Sequence, residues 1–195
     1  MLIFATALLA LMAGALFYAA RIPVEVEAPP PPQPAQLEAV THPTFTLPDI
    51  DGAARELSEW DGKHRILNFW ATWCAPCRRE IPLLKDFQAQ NGESGYQVLG
   101  IAFDYPEQVA RYAEEAQFNY PILVGQQDAM AVAESSGIEF IGMPFTMFVA
   151  RDGEYVGAYI GELHQSHLDD VVRILTLLDN GEISKDEARG AFDLL

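Results

Sequence analysis

The stretch Asn68-Phe69-Trp70-Ala71-Thr72-Trp73-Cys74-Ala75-Pro76-Cys77 determines how this chain folds. It begins in a short apolar run, 65–70, which is typical of a buried strand. It leads into a helical pattern that starts near Ala75 and extends to about Gln88. Pro76 is compatible with a first helical turn, because its missing N–H would have no intrahelical partner there. The two cysteines are therefore predicted to lie where a strand ends and a helix begins.

A thiol at a helix N-terminus is favoured as thiolate, because it faces unpaired backbone N–H groups and the positive end of the helix dipole. We expect Cys74 to be the exposed attacking thiolate and Cys77, one turn further, to be the buried resolving thiol. Cys74 would form a mixed disulfide with a substrate, and Cys77 would then release the reduced substrate. The reverse sequence would oxidise a substrate. This chemistry needs no cofactor other than the Cys74–Cys77 disulfide.

A zinc half-site is the structural alternative for two closely spaced cysteines. Zinc would require two further ligands. The chain has no other cysteine, and its histidines are scattered apart from the pair His164 and His167. We therefore predict that the chain holds no metal.

Strand and helix patterns alternate along the chain. Asp51-Gly52 marks a hairpin after 45–47, and Arg151-Asp152-Gly153 marks a second hairpin. Together they predict an α/β fold in which helices flank a mixed sheet. The predicted strands are 65–70, 96–103, 120–124, 145–150 and 154–160, and the predicted helices are 75–88, 106–117, 128–135 and one from Ser166, capped with Asp169.

Leu2 to Ala20 carries no charged residue. As a helix this run would be about 28 Å long at roughly 1.5 Å per residue, close to the hydrocarbon thickness of a bilayer. We favour an uncleaved membrane anchor over a cleaved signal peptide, since a basic start and a small-residue cleavage site are poorly matched. The predicted segments are an anchor (1–21), a Pro-rich linker (22–41), a folded domain (42–178) and a tail (179–195), in which Ser184 and Glu187 fit the cap of a short helix.

The formal net charge of the chain is −16. Nucleic acid binding is therefore not expected, because phosphates require Lys and Arg. An acidic surface would suit basic protein partners.

The quoted stretch resembles the thioredoxin superfamily. With Thr72, Arg78, Arg79, Glu80 and Pro82 it is similar to the membrane-anchored TlpA/ResA-like branch of bacterial disulfide reductases. Gly142-Met143-Pro144-Phe145-Thr146 resembles the family's cis-proline loop, and 45–61 its extra N-terminal hairpin. The resemblance covers roughly 42–178, and it implies a thioredoxin fold with that hairpin and a central insertion.

The resemblance also implies the roles of individual residues. Substrate would contact Trp73, Ala75, Pro76, Met143 and Pro144, with the backbone of Met143 pairing with an extended segment. Asn68 stands where thioredoxin has a buried Asp, and Asn cannot accept a proton. Glu80 shares a helix face with Cys77 and would accept or return its proton; the alternative is an exposed Glu on a solvated face. Trp70 is expected in the core.

The function so implied is an extracytoplasmic, single-pass membrane-anchored protein-disulfide reductase at the inner membrane, facing the periplasm or cell exterior. Its substrate would be a disulfide-bearing protein such as apocytochrome c during cytochrome c maturation, and a membrane thiol transporter would supply electrons. Two alternatives stay open: a disulfide oxidase or isomerase on the same fold, and a copper-binding module that uses both cysteines as soft ligands.

Overall fold

The computed structural model of the protein describes residues 42–135 and 142–195, all of which belong to one compact unit, 37–195. The predicted anchor (1–21) and linker (22–41) lie outside the described residues. Within the described ranges, no helix combines the length and the apolar character needed to cross a membrane.

The described residues form seven strands and five α-helices. The strands are β1 (Thr46–Pro48), β2 (Ala54–Glu56), β3 (His64–Trp70), β4 (Tyr96–Phe103), β5 (Ile122–Gly125), β6 (Phe145–Val149) and β7 (Tyr155–Ile160). The helices are α1 (Ala75–Asn91), α2 (Pro106–Ala116), α3 (Gln127–Ser135), α4 (Gln165–Asp179) and α5 (Lys185–Phe192), with 3₁₀ turns at Leu57–Trp60 and Gly92–Ser94.

A five-stranded mixed sheet lies at the centre of the fold, in the order β5-β4-β3-β6-β7. Strands β3, β4 and β5 are parallel, whereas β6 is antiparallel to both β3 and β7. Strands β1 and β2 form a separate antiparallel hairpin in which Thr46 pairs with Glu56. The predicted thioredoxin-type α/β fold with an N-terminal hairpin is therefore confirmed.

Hydrophobic cores lie on both faces of the sheet, because successive strand side chains point to opposite faces. Ile66 and Trp70 of β3 pack on the face covered by α1 and α4. Leu67 and Phe69 pack on the other face, which the β1–β2 hairpin and α3 cover. Every residue of β3 is buried, as expected for the central strand of a sheet covered on both sides.

Two predicted element boundaries differ from the structure by more than one residue. The strand predicted from Tyr120 begins at Ile122, and α1 continues to Asn91 instead of ending near Gln88. The cap predicted for α4 is wrong: the helix starts at Gln165, with His164 as its N-cap residue. The His164 backbone N–H donates to Nδ1 of His167 at 3.2 Å, so an imidazole supplies the acceptor that we expected from Asp169.

The residues that follow Asn180 also pack on the sheet. Ser184 caps α5, and its hydroxyl accepts from the Glu187 backbone N–H at 3.3 Å, as the sequence predicts. Phe192 is buried and stacks on Phe148, with 4.8 Å between the ring centroids. Gly157 makes this contact possible, because a Cβ there would lie 2.3 Å from Cβ of Phe192.

Candidate active site

Cys74 is the N-cap residue of α1, and a disulfide joins it to Cys77 with 5.3 Å between the two Cα atoms. Strand β3 ends at Trp70, and the Cys74 backbone N–H donates to the carbonyl of Ala71 at 3.1 Å. The chain therefore turns tightly between strand and helix, as the sequence predicts. Both sulfurs lie at the end of the sheet where β3 finishes.

The sulfur of Cys74 accepts a hydrogen bond from the Cys77 backbone N–H, with 3.3 Å between S and N. Cys77 is fully buried and Cys74 is 6% exposed. The expectation of an exposed Cys74 is therefore wrong for the disulfide form, because its side chain turns towards the first helical turn. That same N–H is available to stabilise a Cys74 thiolate after reduction.

Asp104 holds the loop that leads to Cys74, a contact that the sequence analysis missed. Its carboxylate Oδ2 accepts from both the backbone N–H (3.1 Å) and the hydroxyl of Thr72, and Oδ1 accepts from the Tyr105 N–H at 2.8 Å. Asp104 is buried and directly follows β4. The sequence did carry a signal for this contact: Asp104 is a carboxylate at the end of β4, the strand parallel to β3. The ends of parallel strands meet at one edge of the sheet, so Asp104 could be expected near the loop that follows β3.

The Met143–Pro144 peptide bond is cis, as the resemblance implies. Strand β6 starts at the next residue, Phe145, which pairs with Phe69 near the end of β3. Met143 is partly buried against the core cluster that contains both cysteines. The proline loop and the disulfide therefore lie at the same end of the sheet.

Glu80 is buried at 1% exposure, so the alternative of a solvated helix Glu is excluded. Its Oε1 accepts from Nδ2 of Asn68 at 2.7 Å, and its Oε2 accepts from the Leu163 backbone N–H at 2.6 Å. Burial raises the pKa of Glu80 from 4.5 to about 7, although both hydrogen bonds favour the charged form. Glu80 can therefore exchange a proton near neutral pH, one helical turn from Cys77.

The side chains next to the cysteines differ in exposure. Trp73 is 62% exposed, and Ala75 and Pro76 are also accessible, so all three can contact a substrate. Trp70 is 1% exposed and lies in the core, as predicted. Tyr105, which the sequence analysis did not single out, is 56% exposed beside the Asp104 anchor.

Within 42–135 and 142–195, no three His, Cys, Asp or Glu side chains are grouped as a metal ion would require. His164 and His167 lie close together, but they form the N-terminal cap of α4. The redox group that these residues do contain is the Cys74–Cys77 disulfide.

Residues 40–158 match the AhpC/TSA family, which covers more than half of the chain. The chain belongs to this family. Within it, the protein is similar to the thiol-disulfide oxidoreductase ResA of Geobacillus kaustophilus, with 31% identity over 67% of this chain and 76% of the relative. ResA of Halalkalibacterium halodurans is 28% identical over 67% of this chain and 73% of the relative.

A solved structure has the same fold. The thiol:disulfide interchange protein of Chlorobium tepidum TLS superposes with a TM-score of 0.63 and 26% identity, over 69% of this chain and 94% of that one. With the Cys74–Cys77 pair at the N-terminus of α1, this AhpC/TSA-family chain is a TlpA/ResA-like thiol:disulfide oxidoreductase. The predicted family, fold and enzyme class are confirmed.

Proposed function

We propose that this enzyme reduces protein disulfides outside the cytoplasm. The observation that carries the proposal is the pairing of Cys74 at the tip of α1, where its sulfur accepts a backbone N–H, with the fully buried Cys77. The first can be stabilised as the attacking thiolate, and the second is shielded until a mixed disulfide forms.

In the reduced enzyme, the Cys74 thiolate attacks one sulfur of a substrate disulfide. A Cys74–substrate disulfide forms, and the other substrate sulfur leaves as thiolate. Cys77 gives its proton to the Glu80 carboxylate and attacks Sγ of Cys74. The Cys74–Cys77 disulfide forms, the second substrate thiolate leaves, and two electrons have moved to the substrate. A partner dithiol must then return two electrons to the enzyme.

The substrate segment binds in extended form between Trp73 and the Met143–Pro144 loop, with Ala75 and Pro76 beneath it. Exposed Trp73 offers apolar area, and the backbone next to Pro144 offers hydrogen-bond groups. Relatives that are named ResA thiol-disulfide oxidoreductases support a disulfide-bearing protein as substrate. We propose apocytochrome c as one such substrate and a membrane thiol transporter as the electron donor.

The uncharged run from Leu2 to Ala20 supports a single membrane anchor, with the catalytic domain on the periplasmic or outer side. A dedicated reductase is needed there, because disulfides form by default in oxidising compartments. No cofactor beyond the cysteine pair is proposed.

Trapping tests the roles of the two cysteines. Cys77→Ser should accumulate a mixed disulfide with substrate protein, because the resolving thiol is absent. Cys74→Ser is the matched control and should trap none. Equal trapping by both variants, or by neither, would overturn the assigned roles; the readout is a mass shift on non-reducing gels that dithiothreitol reverses.

The direction of electron transfer and the location of the catalytic domain need a second measurement. Cells are quenched with acid, free thiols are alkylated with a mass tag, and protease accessibility of the domain is measured in spheroplasts. A mostly reduced pair in a protease-accessible domain is the expected result. A mostly oxidised pair would favour the oxidase alternative, and a protected domain would contradict the proposed location.

A further inference from the structure

The side chain of Asn68 lies at the centre of a buried polar group beneath the cysteines. Asn68 pairs with Thr146 across strands β3 and β6, so both side chains point to the same face of the sheet. Nδ2 of Asn68 donates to Oε1 of Glu80 at 2.7 Å and to Oγ1 of Thr146 at 3.0 Å. Asn68 Oδ1 is buried and has no hydrogen-bond partner among the described residues.

The hydrogen bonds of Glu80 limit where a proton can bind. Oε2 accepts from the backbone N–H of Leu163, which can only donate. A carboxylic acid keeps its better acceptor, the C=O oxygen, opposite a fixed donor, so the proton belongs on Oε1. Oε1 then becomes a hydroxyl that needs an acceptor, yet it faces the Nδ2 donor of Asn68.

Reversing the Asn68 amide removes this conflict. Oδ1 then takes the place of Nδ2 and accepts from the Oε1 hydroxyl of Glu80. The Thr146 hydroxyl then donates to Oδ1 instead of accepting from Nδ2, because a hydroxyl can both donate and accept. The two ends of an amide have nearly the same size, so the surrounding core need not move. One end of the amide lacks a partner in either orientation: Oδ1 before the reversal and Nδ2 after it.

We propose that Asn68 is a positioning residue whose side-chain amide reverses when Glu80 gains or loses a proton, with Thr146 as its partner in both orientations. The proposal rests on the role of Glu80 as proton acceptor for Cys77. The proton moves from Cys77 Sγ to Glu80 Oε1, and no bond between heavy atoms changes in that transfer. A hydrogen bond between Asn68 and Glu80 thus keeps the carboxyl group in place in both charge states: Asn68 donates to the carboxylate and accepts from the carboxylic acid.

Other ionisable groups also face Glu80. Tyr120 lies close enough for charge coupling, but burial raises the pKa of its phenol, so it stays neutral. Glu162 raises the pKa of Glu80 by its negative charge. The Arg79 guanidinium bonded to Glu162 lowers the pKa of Glu162, so that carboxylate stays charged above pH 5. Cys77, one helical turn before Glu80, does not titrate while oxidised.

The test is NMR of the oxidised full chain, with the Glu80 Cδ shift recorded as a readout of protonation. At pH 9 the two Nδ2 protons of Asn68 should give cross-relaxation to the Thr146 side chain. At pH 5 these cross-peaks should disappear, with the same midpoint as the titration of Glu80. Cross-peaks that persist while Glu80 titrates would overturn the proposal, and so would a Glu80 that does not titrate over this range.

Glu80→Gln provides a fixed reference. The Leu163 N–H must face the Gln oxygen, so the Gln NH₂ faces Asn68 and requires Oδ1. The reversed orientation should therefore be present at pH 5 and pH 9 alike. Thr146→Ser is the matched control, because it keeps the hydroxyl and should preserve the pH-dependent reversal. A Glu80→Gln spectrum that retains the pH 9 cross-peaks of the wild type would contradict the proposal.

Asn68→Leu supplies a kinetic readout. Both forms of Glu80 lose a hydrogen bond, but the bond to the carboxylate is charge-assisted and therefore the stronger one. The pH of half-maximal resolving rate should therefore rise by about one unit, a tenfold change in proton affinity. An unchanged midpoint in a folded Asn68→Leu variant would overturn the positioning role. The NMR readout uses resting enzyme without substrate, so failure of the trapping experiment would leave it unaffected and the two failures are distinguishable.

Discussion

Glu80 is the residue at which burial and chemistry are most closely connected. Glu80 is 1% exposed, and its carboxylate accepts two hydrogen bonds, one from a side chain and one from the backbone. Burial outweighs those donors and raises the pKa of Glu80 to about 7. Charging Glu80 therefore destabilises the fold, so its titration should lower the free energy of unfolding as the pH rises.

Glu80→Gln should change how stability depends on pH. Between the unfolded pKa of 4.5 and the folded pKa of about 7, unfolding releases a proton from Glu80, so raising the pH favours unfolding. The free energy of unfolding of Glu80→Gln minus that of the wild type should rise by about 3 kcal/mol from pH 4.5 to pH 8. Denaturant titrations of the oxidised proteins measure this difference.

His64 also makes the free energy of unfolding depend on pH, so the wild-type value is subtracted from that of Glu80→Gln. Burial lowers the pKa of this histidine, so its contribution to stability is lost as the pH falls below 6.5, opposite in sign to Glu80. The subtraction removes this shared contribution. Glu114→Gln, on an exposed side chain, is the control and should follow the wild type. A flat difference for Glu80→Gln would contradict the raised pKa.

Among the elements, the loop between β3 and α1 depends on a contact from β4. The buried carboxylate of Asp104 accepts three hydrogen bonds, two from Thr72 and one from Tyr105. Thr72 lies two residues before Cys74, so the end of β4 determines where the attacking sulfur sits.

Asp104→Asn should loosen this loop. The amide places an NH₂ donor against at least one existing donor, so the free energy of unfolding should fall by about 1–3 kcal/mol. Mixed-disulfide formation, measured in the Cys77→Ser background, should slow by about tenfold because Cys74 is misplaced. Thr72→Ser keeps the hydroxyl and should leave both quantities near those of the Cys77→Ser parent. Equal rates for Asp104→Asn and that parent would rule out the anchoring role.

Helix α5 contributes to the core through Phe192. Phe192→Ala removes the ring that stacks on Phe148 and leaves a cavity beside Gly157, so it should lower the free energy of unfolding by about 3–5 kcal/mol. Leu194→Ala is the matched control, since Leu194 is 87% exposed and should change stability by less than about 0.5 kcal/mol. Similar losses for the two variants would mean that α5 does not pack as described.

Periodicity and local chemistry allowed most elements to be predicted. The apolar run Tyr96–Phe103 coincides with β4, and the Cys-x-x-Cys position at a helix N-terminus is confirmed. The cap of α4 was mispredicted because an imidazole nitrogen takes the place of a carboxylate. The Asp104–Thr72 contact was missed although Asp104 follows a strand predicted beside β3. The Asn68–Thr146 contact could not be predicted, because only the folded sheet brings these two residues together.

At the scale of the whole molecule, charge is the dominant feature. A net charge of −16 creates a field that attracts cations, although salt screens it within about 8 Å at 0.15 M ionic strength. Near the cysteines, Arg79 is paired with Glu162, which removes one local positive charge from that field.

This field should affect the rate of encounter with substrate. The test uses two disulfide peptides of the same length, one flanked by Lys and the other by Glu, as substrates of the Cys77→Ser variant. The rate of mixed-disulfide formation is measured for each peptide. The Lys peptide should form the mixed disulfide faster at low salt, and the difference should shrink as ionic strength rises. Equal rates at low salt would show that the overall charge does not steer substrates.

The two edge strands of the sheet, β5 and β7, each contact a residue that lies outside the five-stranded sheet. Asp49, at the end of the β1–β2 hairpin, forms a bridge with Leu123 of β5. On the other side, Arg189 of α5 donates to the carbonyl of Tyr155 in β7 at 3.4 Å. Open sheet edges allow chains to add to one another and aggregate. Asp49 and Arg189 therefore occupy part of each edge, which limits the length over which a second chain could add a strand to this sheet.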